Sequence, residues 1–452
     1  MTKRTSSSFM GTPATAPGPQ GPDMLRDFSL IRHNPLAFLD KTWREYGDIV
    51  QFPIPKPPTY LINSPTGVRQ VLVANGRNYG KSTIQYRALS LVTGEGLLTA
   101  DTSQWQRTRP MIQPAFHQAL LHDLVPITES VTQSLAQQWG QLPDGAVVDV
   151  DQFMLAGALD VVGKFLFGTD LTNNVHVITE ATLSALDVVI ARARVPITPP
   201  GWVPTPANRK LRRSVSVLDA AVAQMLAHRS SGQESSPTMI DVLRTAVDTE
   251  GRALTPEQIR DEIVTFIVAG HETVASALSW AWAVLAADPH RADSLAAEAN
   301  MAHEQGGIAL EKLPLTRAFF EEVLRMYPPA WLITRRAEHQ DSIDGHAIPP
   351  GALIIISPAL IHRHPEVWTD AEKFMPDRFL HPYPRESFIP FGAGLRQCIG
   401  KDFAYIEGVL LLASLLRTFQ IRYPEGGRIP EGEPLVTIRP RGGVKLLLTR
   451  RG

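Results

Sequence analysis

The sequence predicts a mainly α-helical chain with small β-sheets, an α+β architecture, on three observations. Apolar residues recur at three- and four-residue spacing through the middle of the chain, short alternating segments bounded by prolines lie near both ends, and one apolar stretch at 263–287 is long enough to cross a domain. Residues 1–35 are rich in Ser, Thr, Gly and Pro and lack the apolar segment of a signal peptide or anchor, so they read as a mobile lead-in to one domain over 36–452. Alternation at 48–52 and 60–63 predicts short strands. Helical spacing follows at 117–140, 150–168, 175–194, 209–229 and 237–248, with a flexible loop at 230–237. At Thr255-Pro256-Glu257-Gln258 a capping hydroxyl, a proline at the first helical position and a glutamine three residues after the cap announce a helix. It can run to about Asp288, roughly 50 Å at 1.5 Å per residue. A strand at 352–356, a helix at 401–418 and closing strands near 435–449 complete the chain, and no internal repeat is visible.

Composition narrows the function classes. A chain of 452 residues, 44% hydrophobic, can bury a large core, and 44 Lys plus Arg against 45 Asp plus Glu leave no basic excess for nucleic acid or an anionic membrane. The single cysteine excludes an internal disulfide and any site built from several thiolates, which fits a reducing cytoplasm. The apolar stretch carries His271 and Glu272 at its centre. A charged pair there is costly in lipid, so a buried helix of a large domain is expected and no membrane span.

The sharpest local signal is Phe391-Gly392-Ala393-Gly394-Leu395-Arg396-Gln397-Cys398-Ile399-Gly400, a glycine-punctuated loop that ends in the lone cysteine and opens a helix. Glycines allow sharp turns and close backbone approach, while loop amides and the following helix N-terminus stabilise an anionic sulfur and lower its pKa. The plainer alternative is a small buried core cysteine beside a tight turn.

This loop resembles that of the cytochrome P450 family of haem-thiolate monooxygenases, matching F-x-x-G-x-R-x-C-x-G at every specified position. Further motifs occur in the family's order: Trp105-Gln106-Arg107-Thr108-Arg109 (W-x-x-x-R), Ala269-Gly270-His271-Glu272-Thr273 in the long helix, Glu322-Val323-Leu324-Arg325 (E-x-x-R) and Phe374-Met375-Pro376-Asp377-Arg378-Phe379. Each short motif is weak alone, since E-x-x-R on a helix is usually an exposed ion pair of small value. Three positions depart from common family choices: Val274 for a second threonine, which makes the pocket drier, Glu272 for aspartate and Asp377 for glutamate.

The resemblance implies a cytochrome P450-like fold with the long helix over haem b (iron protoporphyrin IX), Cys398 as axial iron ligand, and Phe391, Gly392 and Gly400 shaping the loop around it. Trp105, Arg109, Arg335 and Arg396 become candidates for the haem propionates, because guanidinium groups suit carboxylates and indole offers one donor. Arg336, next to Arg335, is equally charged, and for either the alternative is a solvated surface charge. Glu322, Arg325 and Arg378 are implied to form the buried ion network that holds the cysteine loop. Ala269 and Gly270 give the haem room, and Glu272 and Thr273 carry catalysis, a carboxylate relaying protons and a hydroxyl binding dioxygen or water. The alternative for that pair is an interior carboxylate matched by a basic residue and a threonine bonded to its own backbone. His271 reads as structural.

The implied reaction inserts one oxygen atom from O2 into an apolar small molecule, a terpenoid, fatty acid or polyketide, in a bacterial cytoplasm. Electrons originate in NAD(P)H and arrive through a ferredoxin or flavodoxin with its reductase, since no flavin or second nucleotide region follows the cysteine helix. The chain is expected to be a monomer. Segments at 79–98, 186–203, 264–273, 329–334 and near Val436 would line the pocket, with an apolar, proline-rich lid at 195–202. Two other classes remain open: a peroxide-using or isomerising haem-thiolate enzyme, and a non-enzymatic haem sensor.

Overall fold

The computed structural model describes residues 15–53, 57–116, 123–168, 175–193, 199–228 and 238–451. Its strands are β1 (Ile49–Phe52), β2 (Thr59–Ile62), β3 (Tyr79–Gly80), β4 (Ala146–Asp149), β5 (Ile333–Ala337), β6 (Asp341–Ile343), β7 (His346–Ile348), β8 (Leu353–Ile356), β9 (Phe419–Arg422), β10 (Gly432–Pro434), β11 (Ile438–Pro440) and β12 (Lys445–Arg450). The longer helices are α1 (Gly21–Arg26), α2 (Phe28–His33), α3 (Pro35–Tyr46), α4 (Ile84–Thr93), α5 (Thr102–Ile112), α6 (Leu124–Gly140), α7 (Val150–Phe167), α8 (Val175–Ala193), α9 (Pro206–His228), α10 (Met239–Thr245), α11 (Pro256–Ala287), α12 (Pro289–Glu304), α13 (Pro314–Met326) and α14 (Lys401–Thr418). Helices dominate and the sheets are small, as the spacing predicts.

The largest sheet runs β1-β2-β8-β5-β3, with β2 parallel to β8 and the other pairs antiparallel. Tyr60, Leu61 and Ile62 are buried on both faces of it, which is why these residues read as an apolar run. A three-stranded sheet, β4-β12-β9, and the hairpins β6-β7 and β10-β11 make up the rest. A second apolar cluster around Ile62, Ile333 and Ile354 packs on the large sheet, separate from the main helical core.

The central helix α11 starts where its capping signal places it. Thr255 Oγ1 accepts from Gln258 N at 3.2 Å, Gln258 Oε1 accepts from Thr255 N at 3.0 Å, and proline occupies the first turn. It ends at Ala287, and Asp288 then caps the next helix by accepting from Arg291 N. The helix is long and apolar enough to cross a membrane, but most of it lies inside the protein, packed on α7 and α14. Trp280 stacks on Tyr327 with centroids 4.1 Å apart, and Trp282 meets Trp139 edge-on. Apolar side chains on all sides therefore find protein on all sides.

Several boundaries differ from the sequence expectation. Helix α6 begins at Leu124 rather than 117, and residues 117–122 lie outside the described set, as do the loop at 230–237 and the lid residues 195–198. Helix α9 starts at Pro206, three residues before the expected position, because proline suits the first turn. The lead-in requires a correction from residue 15 onward. Thr15 N donates to Gln51 Oε1 at 2.7 Å, Gln51 N donates to Pro17 O at 2.8 Å, and Ala16 and Met24 are buried, so α1 and α2 belong to the folded body. Among the described residues of the lead-in, Pro17 and Gly18 lie against Gln51 of β1, and Pro22 and Pro35 occupy the first turns of helices.

Candidate functional site

The cysteine loop is built by hydrogen bonds that close it on itself. Cys398 N donates to Phe391 O at 2.9 Å, and Gln397 N donates to Gly394 O at 3.1 Å. Gly392 and Gly394 hold φ of 66° and 67°, the left-handed region where glycine avoids the Cβ clash. At Gly394 a Cβ would also strike the Leu72 carbonyl. Gly400 then caps α14. Cys398 is accessible although protein surrounds it closely. Burial pushes its thiol up from the ordinary value, opposed by the Gly400 amide and by Arg109 and Lys81. The expected net lowering by the loop is thus corrected: the chain's own groups moderate the desolvation cost without reversing it, and a coordinated metal is what ionises such a thiol.

Next to the sulfur lies a knot of cations. Lys81, fully inside the protein, feels Arg335, Arg396, Arg109 and Cys398, and its ammonium is held well below its ordinary pKa by burial and then by those arginines. Lys81 Nζ donates to Leu98 O at 2.8 Å and sits 4.6 Å from the Tyr86 ring centroid. Arg396 lies over the Trp105 ring at 4.3 Å and donates to the carbonyls of Ala100 and Asp101. Burial and Arg335 push it down to about 10. Arg109 Nη1 donates to Gln397 O at 3.0 Å, which fixes α5 to the loop. Arg335 is 5% exposed and Arg336 is exposed, because consecutive β5 residues face opposite sides; the strand resolves the ambiguity between them. Among the described residues none of Lys81, Arg109, Arg335 and Arg396 forms an ion pair with a carboxylate. Such a cluster stays costly until an anion joins it, and the two propionates of haem b beside a thiol ligand are what this set fits.

The central helix supplies the second half of the site. From Glu262 to Ala286 every residue is buried except Ala269, Gly270 and Thr273, so a single small patch within this stretch of α11 remains accessible. The helix continues unbroken across it. Gly270 also has a packing role: an added Cβ would come within 2.9 Å of Val162 Cγ2, so the glycine lets α11 approach α7. Val274 is buried in the main core and adds no accessible surface to the patch, so it does not dry the pocket directly. Thr273 Oγ1 donates to Ala269 O at 2.7 Å, the self-bonded arrangement named above as its alternative. Glu272 is also matched, accepting from Thr437 Oγ1 at 2.8 Å with Arg439 Nη1 at 3.9 Å. Burial raises its pKa, against the pull of Arg439 and Thr437. His271 is buried, 3.4 Å from Thr179 Oγ1, and burial with Arg439 pushes it down to about 3.

The loop 94–101 joins the two halves. Its amides meet carboxylates of α11, Glu95 N donating to Asp261 at 2.8 Å and Leu97 N to Glu262 at 3.0 Å, while its carbonyls at Leu98, Ala100 and Asp101 meet Lys81 and Arg396. Burial pushes Glu262 up to about 8.

Behind the cysteine loop, Glu322 and Arg325 are completely buried on α13. Arg325 Nε and Nη2 donate to the two Glu322 oxygens at 2.7 and 2.8 Å, and its remaining donors reach the carbonyls of His362, Ala371 and Lys373. Met375 N and Arg378 Nε complete the carboxylate. His362 carries the link onward: one ring nitrogen meets Arg325 O at 3.1 Å and the other accepts from Ile389 N at 2.9 Å, two residues before Phe391. Burial keeps that ring neutral, its pKa pushed down to about 3, as an accepting nitrogen requires.

Sequence reasoning missed Lys81, His362, Thr437, Arg439 and Asp151. Only Lys81 carried a signal, a cation after the short Tyr79-Gly80 strand inside an expected pocket segment. The Cytochrome P450 family model matches residues 17–447. Cyclooctatin synthase of Streptomyces melanosporofaciens is 32% identical over 427 residues, 91% of this chain and 91% of that protein. Cyclooctat-9-en-7-ol 5-monooxygenase of the same organism is 30% identical, covering 91% and 90% of the two chains. Pentalenene oxygenase of Streptomyces avermitilis is also 30% identical, covering 90% and 91%. A match over nearly the whole length, on top of a cation cluster shaped for a dianionic cofactor beside one thiol, has one reading: the chain belongs to the cytochrome P450 family and is a monooxygenase that carries haem b.

Proposed function

We propose that this P450 hydroxylates an apolar terpenoid-like molecule, with Cys398 as the haem iron ligand and Glu272 and Thr273 as the proton-handling pair. The observation that carries the assignment of residues is that the accessible Cys398, the four-cation cluster beside it and the α11 stretch bearing the Ala269-Gly270-Thr273 patch are tied together through the loop 94–101. Haem b bound through a thiolate supplies reductive activation of O2 and insertion of one oxygen atom into substrate. Lys81, Arg109, Arg335 and Arg396, with the Trp105 indole, would hold the propionates; Phe391, Gly392 and Gly400 shape the cysteine turn. Glu322, Arg325, Arg378 and His362 hold the turn in place. Thr273 has its own proton committed to Ala269 O and keeps acceptor lone pairs, so it holds a water or hydroxyl that donates to it. Glu272 lies about 100° round the helix from Thr273, in a pocket that favours its protonated form, and supplies the proton by turning from Thr437 or through one water.

The buried apolar residues of α11 on either side of the patch support an apolar guest, and the names of the relatives, built on cyclooctatin and pentalenene, favour a terpenoid over a fatty acid or polyketide. Electrons come from partner proteins, and we assign a ferredoxin or flavodoxin with its reductase, a monomeric chain and a cytoplasmic setting. The test is twofold. Cyclic terpenoids should change the haem spin state at lower concentration than fatty acids. Product should then form with surrogate ferredoxin, reductase and NADPH; product that forms with peroxide and not with these partners would overturn the electron-transfer reading.

A further inference from the structure

Strand β11 is seated on the central helix by one carbonyl. Ile438 O accepts from Ser276 Oγ at 2.7 Å and from Trp280 Nε1 at 2.8 Å, while Ile438 N donates to Pro329 O. This places the two flanking residues against α11, and both reach Glu272. Thr437 donates to it, and Arg439 stands between it and a second carboxylate, Asp151, at the start of α7. The guanidinium is bonded to Asp151 through Nη2, and Asp151 is held from the other side by Ser279 Oγ at 2.8 Å. Nη1 is shielded from solvent, lies 3.9 Å from Glu272 Oε1, and has no hydrogen-bond partner.

We propose that Arg439 is a positioning residue that divides its guanidinium between Asp151 and Glu272 and so decides when Glu272 keeps its proton and when it gives it up. The inference rests on Glu272 as the proton carrier. Two carboxylates that share one guanidinium in a largely buried space carry an excess negative charge, which favours a proton on one of them. With Arg439 on Asp151, that acid is Glu272, and the desolvation and the charge of Asp151 both act in this direction. Closing the Nη1 gap by roughly 1 Å forms a charge-assisted hydrogen bond to Glu272. Its O–H bond then breaks, the proton passes to a hydrogen-bonded water on the Thr273 side, and the carboxylate left behind is matched by Nη1. Proton return from water reverses the step, so nothing is consumed. The other ionisable groups facing Glu272 are Asp187 on α8, which opposes ionisation, and His271 on its own helix, which stays neutral.

The pH profile of coupled product formation tests this in the reconstituted holoenzyme, with haem content and the carbon monoxide spectrum as checks that each variant is intact. A protonated donor gives an alkaline limb. Asp151→Asn leaves Arg439 undivided and should move that limb down by about one pH unit, the size of effect one nearby charge exerts. Arg439→Gln should move it up. Arg439→Lys keeps a charge on Asp151 but has no second nitrogen for Glu272, and should move it up by less; it carries the upward arm should Arg439→Gln fail to fold. Limbs that stay in place, or that move the same way in the Asp151 and Arg439 variants, overturn the proposal. Glu272→Gln separates this from the underlying reading: a limb that survives in that variant removes Glu272 as proton carrier. A limb lost there but unmoved in the others removes only the role of Arg439.

Discussion

Two buried charge networks lie beside the proposed haem site, and they are finished to different degrees. Around Arg325 every guanidinium nitrogen has a partner, and Glu322 receives bonds from Arg325, Arg378 and the Met375 amide. Around Arg439 one nitrogen has none, and Glu272 is held above the ordinary carboxylate range. The difference teaches what each is for. At its centre the Arg325–Glu322 pair has every donor and acceptor used and serves as a fixed support, the one spare donor there, Arg378 Nη2, having no second acid to share; the other network sets its spare donor beside a carboxyl that favours its proton, which is what moving a proton requires.

Breaking the finished network should have the largest effect. Glu322→Ala or Arg325→Ala strands a fully buried charge, a loss of about 3–5 kcal/mol, and should give protein that does not retain haem. Haem content by absorbance decides it, and normal loading in both variants would show that the network is not the support described. In the unfinished network Glu272→Gln should leave haem loading intact while lowering product per electron by about 10²-fold, the lower range for losing a general acid. Equal loss of haem in that variant would make the two networks alike. Arg378→Ala should fall between support and bystander. Its distance of 3.3 Å to Glu322 and partial exposure predict weakened haem retention at about 1–2 kcal/mol, read as a faster rate of haem transfer to an acceptor globin.

The last effect falls on stability alone and concerns Glu262, the other buried acid of α11, which binds its proton up to about pH 8 in the folded chain and only to about pH 4.3 when unfolded. Between those values the folded state binds more protons, so stability falls as pH rises through that window and no longer changes above it. Glu262→Gln should remove this slope while keeping an oxygen to accept the Leu97 amide, raising the melting temperature at pH 8 by about 5 °C. An unchanged slope would mean that the central helix gains nothing from this proton.

Much of the site was legible in the chain because its signals are local. The start of α11 lies in four consecutive residues, Thr255 to Gln258, and the cysteine turn in ten, Phe391 to Gly400, so nearby backbone geometry suffices to form them. Arg335 and Arg336 were not separable in the chain, which offers no strand reading at 333–337; pairing with β3 and β8 set them on opposite faces and turned Arg335 inward. Lys81, His362 and Arg439 were not legible, because what gives them meaning lies far away in sequence. Lys81 meets Arg396, His362 meets Ile389, and Arg439 meets Glu272 and Asp151 only after helices and strands pack.

By itself, then, the sequence determined the turn chemistry, the helix caps, the lone sulfur and the order of motifs, because each depends on neighbours along the chain. The tertiary structure alone decided the charge state of the site. It gathered four cations with no ion pair to a carboxylate among the described residues, seated β11 on Ser276 and Trp280, and set one arginine between two acids. Ionisation in an interior depends on desolvation and on charges a few ångströms away, and those distances exist only in the folded molecule.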